Sequence, residues 1–117
     1  MKNIRMVINM KDKILEYIKL KPNISYFDLV KIFGLSMENL FKLLGITNYK
    51  IDNFNNLIIY DDKDNEIYRE DSNGYWYRWD YDENGKQIYF EDSDDYWVKR
   101  KFDDNGKCVY RKDSDEI

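Results

Sequence analysis

The stretch Tyr81-Asp82-Glu83-Asn84-Gly85-Lys86-Gln87-Ile88-Tyr89-Phe90-Glu91-Asp92-Ser93-Asp94-Asp95-Tyr96-Trp97-Val98-Lys99-Arg100-Lys101 decides the fold. Placed beneath Tyr60 to Asp80 and above Phe102 to Ile117, it aligns without a gap at a spacing of 21 residues. Tyr60, Tyr81 and Phe102 share a column, as do Ile67, Ile88 and Val109, and Tyr68, Tyr89 and Tyr110. Asp71-Ser72, Asp92-Ser93 and Asp113-Ser114 coincide, and Tyr75-Trp76 stands over Tyr96-Trp97. A fixed period near this length marks an array of equal units.

Each unit holds two turns. Asp82-Glu83-Asn84-Gly85-Lys86 and Asp103-Asp104-Asn105-Gly106-Lys107 carry Asn-Gly, whose ease at positive φ suits a hairpin. Asp71-Ser72-Asn73-Gly74 and Asp92-Ser93-Asp94-Asp95 are rich in side chains that bond their own backbone. Six strands are predicted between these turns, near 55–61, 65–71, 75–82, 86–92, 96–103 and 107–113. Alternation puts Tyr75, Tyr77, Trp79 and Tyr81 on one face, read as the more apolar, and Trp76, Arg78 and Asp80 on the other, read as mixed and open to water or a partner.

Working back toward the N-terminus, Ile14, Tyr17 and Ile18 follow helical spacing, and Pro22 stops that helix. Ser25 caps a second, with Tyr26, Leu29, Val30 and Phe33 inward and Gly34 at its end. Ser36 caps a third, with Met37, Leu40, Phe41 and Leu44 inward and Gly45 at its end. Met1 to Met10 reads as a loosely ordered leader. The predicted architecture is α+β: a three-helix, helix-turn-helix-like segment over 1–50, then a six-stranded antiparallel meander of tandem repeats over 51–117.

Charge follows the same division. Residues 1–50 hold nine Lys or Arg against four Asp or Glu, and residues 51–117 hold ten against nineteen, so a net of +5 precedes a net of −9. Aromatics make up 17% of the chain, a bias that favours strands and interaction surfaces. One cysteine, Cys108, excludes an internal disulfide. The apolar run around Met6 to Ile8 is too short for a signal sequence, and no run approaches a membrane span, so a cytoplasmic location off the membrane is expected.

The stretch Trp79 to Lys86, repeated as Arg100 to Lys107, resembles the YD-type repeats of large shell-forming toxins, whose core is an aromatic-Asp pair, two residues and a Gly. Two and a half units cannot close a shell, and Tyr60-Asp61-Asp62-Lys63-Asp64 lacks the Gly. The Asp-Glu-Asn-Gly and Glu-Asp-Ser elements are similar in style to small phage and mobile-element proteins. That resemblance implies an inhibitor of host defence, of the anti-CRISPR kind.

Chemistry finds little footing. The chain has no His, so the commonest general base is missing. Cys108 has no such partner and reads as strand packing. Asp80, Asp82, Asn84, Gly85 and Glu91 fit the EF-hand loop pattern. That loop needs flanking helices, and the sister unit puts Lys101 and Lys112 at the first and last ligand positions, so the stretch reads as a hairpin turn and no metal or other cofactor is called for. No enzyme activity is expected.

Trp76, Arg78, Trp97, Lys99 and Lys101 interleave base and aromatic as a single-stranded nucleic-acid platform does. Cross-strand pairing with Asp and Glu is the plainer reading. The preferred function is a non-catalytic module that docks on the basic surface of a host protein through Asp71, Asp82, Glu83, Asp92, Asp94, Asp95, Trp76 and Trp97. Negative charge would steer the encounter and aromatic rings would anchor it. The alternative is a DNA-binding regulator that reads DNA with Glu38, Asn39 and Lys42 of the third helix and forms a homodimer through its sheet.

Overall fold

The structure, a computed structural model, describes residues 2–115, with side chains from Met10 onward. The chain divides into two compact units, Met1–Thr47 and Asn48–Ile117. The α+β class is as expected, and the boundary falls after Thr47 instead of after Lys50.

The first unit holds helices α1 (Lys2–Leu20), α2 (Tyr26–Phe33) and α3 (Met37–Leu44). Ser25 Oγ accepts the Asp28 N–H at 3.0 Å and Ser36 Oγ accepts the Asn39 N–H at 3.1 Å, so each cap satisfies an otherwise orphaned donor. Gly34 and Gly45 close α2 and α3 at positive φ, and their N–H groups return to Val30 and Phe41. Ile14, Leu29, Leu40 and Phe41 are buried. Edge-on ring pairs Tyr17–Phe33 (5.8 Å) and Tyr26–Phe41 (5.1 Å) tie the helices together. The leader expected to be loose is helical, since α1 begins at Lys2.

The second unit is one antiparallel sheet in chain order: β1 (Tyr49–Ile51), β2 (Leu57–Tyr60), β3 (Glu66–Glu70), β4 (Trp76–Tyr81), β5 (Gln87–Asp92), β6 (Trp97–Phe102) and β7 (Cys108–Asp113). It has seven strands where six were predicted. The extra one, β1, pairs Tyr49 with Ile59 and Ile51 with Leu57. It was hidden because it is three residues long and its corner has no glycine.

All six corners share one construction. An Asp carboxylate accepts the backbone N–H two and four residues ahead: Asp52 takes Phe54 and Asn56, Asp61 takes Lys63 and Asn65, and Asp71 takes Asn73 and Tyr75. Asp82 takes Asn84 and Lys86, Asp92 takes Asp94 and Tyr96, and Asp103 takes Asn105 and Lys107. The residue three after each Asp sits at positive φ.

The register slips by one residue at Ile59/Tyr60, Asp80/Tyr81 and Lys101/Phe102, the aromatic column of the repeat. Each slip is a bulge that absorbs one residue. A 21-residue unit is odd, and strand alternation has period two. Without the bulge, Tyr68, Tyr89 and Tyr110 would not return to the same face.

Candidate macromolecule-binding site

A meander sends alternate corners to opposite ends of the sheet. Corners 52–56, 71–75 and 92–96 gather at one end, and 61–65, 82–86 and 103–107 at the other. The expected contact set is therefore split. Asp71, Asp92, Asp94, Asp95, Trp76 and Trp97 belong to one end, while Asp82 and Glu83 lie a strand length away, roughly 20 Å for six residues.

Within that set the roles differ. Asp71, Asp82 and Asp92 anchor their corners, each with Oδ1 occupied by two backbone N–H groups. Glu83, Asp94 and Asp95 are exposed at the tips. Trp76 is only 4% exposed. Its ring stacks on Tyr68 at 6.3 Å and the Arg78 guanidinium lies over it at 4.7 Å. It is a packing residue of the sheet. Trp97 is half-buried, with Lys99 Nζ 5.2 Å from its ring centre.

The faces differ from expectation in the same way. The Trp76 face, read as mixed and wet, contains Leu57, Ile59, Tyr68 and a fully buried Glu70. The opposite face carries the cluster of Tyr77, Trp79, Phe90 and Tyr96, with centroids about 6 Å apart and each ring half-exposed. Alternation separates two faces but does not say which side chains reach over their neighbours. Long Tyr and Arg side chains shelter the Trp76 ring, so that face is not wet, while Ile58 and Val98 are buried on the opposite face and both faces carry apolar packing.

The Trp76 face repeats down to its hydrogen bonds. Tyr68 Oη donates to Glu70 at 2.7 Å, and Tyr89 Oη donates to Glu91 at 3.3 Å. Arg78 covers Trp76 as Lys99 covers Trp97. Arg78 also pairs with Glu91 at 3.6 Å, and burial together with the Glu91 carboxylate pushes the Tyr89 phenol up. These Tyr–Glu steps went unnoticed in the sequence, although Tyr68-Arg69-Glu70 and Tyr89-Phe90-Glu91 recur at the repeat spacing.

The calcium-like residues take sheet roles. Asp80 and Glu91 lie on β4 and β5, Asp82 holds its corner, and among the described residues no cluster of three His, Cys, Asp or Glu is arranged to hold a metal ion. On α3, Glu38, Asn39 and Lys42 are exposed, and Lys42 Nζ lies 3.4 Å from Glu38, which draws the one cation of that face toward a carboxylate. No helix among the described residues is long and apolar enough to cross a membrane. Compared with known proteins, the chain matches no protein-family model and no curated protein.

Proposed function

We propose that this is a non-catalytic binding protein that docks on the basic surface of a partner protein and inhibits it by occlusion. The docking edge is the sheet end formed by corners 71–75 and 92–96. The observation that carries the reading is the gathering of Asp94 and Asp95, exposed and at the corner tip, beside the Asp71 corner and half-buried Trp97. Neighbouring corners at one end lie about 10 Å apart, two strand spacings, so their charges act on one partner surface. The proposal extends to the setting: a small phage or mobile-element inhibitor of the anti-CRISPR kind, acting in the cytoplasm on the nucleic-acid groove of a host enzyme.

The test keeps the Asp92 anchor intact. A retained partner is first identified by affinity capture from host lysate with the full chain. Asp94→Lys with Asp95→Asn should weaken that partner's binding about tenfold or more, with a shallower dependence on salt. Unchanged affinity and unchanged salt dependence would remove the acidic edge from the mechanism.

A further inference from the structure

We infer that the β6–β7 hairpin carries a separate cationic site that takes single-stranded nucleic acid. This goes beyond the acidic docking edge, with which it shares only Trp97.

Three observations converge. First, residues 97–113 hold six Lys or Arg against three Asp, a net of +3 inside a unit whose total is −8. Second, the register sets like charges directly opposite one another: Lys99 faces Lys112 on the side of Tyr110, while Arg100 faces Arg111 on the other side, where Arg111 is held by Asp113 at 2.7 Å. Elsewhere in the sheet Arg78 faces Glu91 and pairs with it. Opposed like charges weaken a sheet, so stability alone does not account for the arrangement, whereas a bound polyanion relieves it. Lysines on an exposed edge strand guard it against pairing, which covers β7. That explanation does not cover Lys99, Arg100 and Lys101, which lie on β6 between two paired neighbours.

Third, the cations sit among aromatic rings. Lys99 and Lys101 stand two residues apart on one face, about 7 Å along the strand. Lys101 Nζ lies 5.6 Å from the centre of the Tyr110 ring, and Lys99 Nζ lies over Trp97. A shallow groove runs along Tyr89, Lys99, Lys101, Phe102 and Tyr110, with Asp80 and Asp82 on its lining. Tyr110 is 44% exposed. An acidic peptide would satisfy the lysines and leave the rings unused. Unstacked bases use both, since any base stacks on an aromatic face while the backbone follows the positive groove. Duplex bases are already stacked and offer no faces to Tyr110.

The experiment titrates the full chain into fluorescein-labelled oligothymidylate over a salt series, reading anisotropy and tryptophan emission. Binding should quench tryptophan and weaken with salt at a log–log slope near about −2, for three lysines each displacing a counterion from a single strand. Lys99→Gln/Lys101→Gln/Lys112→Gln should lower affinity at least about tenfold and flatten the slope. Tyr110→Ala should lower affinity with the slope retained, and Lys63→Gln, outside the hairpin, should change neither. Thermal melts of each variant check that the fold persists. No binding at low salt, equal affinity for duplex, displacement by polyglutamate as effective as by unlabelled oligothymidylate, or an unaffected triple variant would each overturn the site.

Discussion

Asn55, Asp64 and Asp95 occupy the corner position that Gly74, Gly85 and Gly106 fill elsewhere, at φ of 63°, 63° and 66°. A side chain in this region costs about 1 kcal/mol, softened for Asn and Asp by local hydrogen bonding. Glycine removes the strain and adds some unfolded-chain entropy. Asp95→Gly should therefore raise stability by roughly 0.5–1 kcal/mol and the melting temperature by a few degrees. A urea titration checks it, and a lower midpoint would show that Asp95 earns its place by another contact. The Asn-Gly corners were legible because glycine announces positive φ. The Asp52 corner was not, because Asn55 and Phe54 give no such signal. Its marker was Asp52 with Asn56, the same spacing as Asp61 with Asn65.

Those two carboxylates matter at the scale of the hairpin. Hydrogen bonds from the backbone N–H of Asn56 and Asn65 hold Asp52 and Asp61 below the usual carboxylate value of 3.8. A lowered folded value means the corner's contribution is complete above the unfolded pKa and is lost as pH falls through the folded one. The β1–β2 and β2–β3 hairpins should loosen as pH falls below about 3.8, and Asp52→Asn with Asp61→Asn should flatten that part of the acid profile. Amide NMR signals of β1 to β3 followed through an acid titration would show it; an unaltered profile in the double variant would sink it. Elements were readable where chemistry is local: Ser25 with Gly34 and Ser36 with Gly45 delimit α2 and α3 to the residue. The covering of Trp76 was not, because it depends on Tyr68 and Arg78 from a neighbouring strand and its own. The candidate docking set was legible as residue types but not as a place, since only strand order reveals that Asp82 and Glu83 lie at the other end.

Across the whole sheet, each strand meets only its sequence neighbours. Stability in such an array is close to a sum over units and their junctions. Removing residues 82–102, one full unit, joins Tyr81 to Asp103 and leaves every remaining corner and bulge in phase. The shortened chain should keep its strand signal by circular dichroism and unfold with a smaller urea m-value, in proportion to the surface lost. Removing 83–102, one residue fewer, should put the last strand out of register and send its side chains to the wrong faces. Equal behaviour of the two deletions would contradict the bulge as the device that keeps the array in phase.

An odd-numbered module with its own built-in correction has a genetic corollary. Unequal crossing-over between neighbouring copies adds or drops whole modules, and every product still presents strands that fit. The breadth of the protein can thus drift between lineages by recombination alone, before any point substitution refines what it touches.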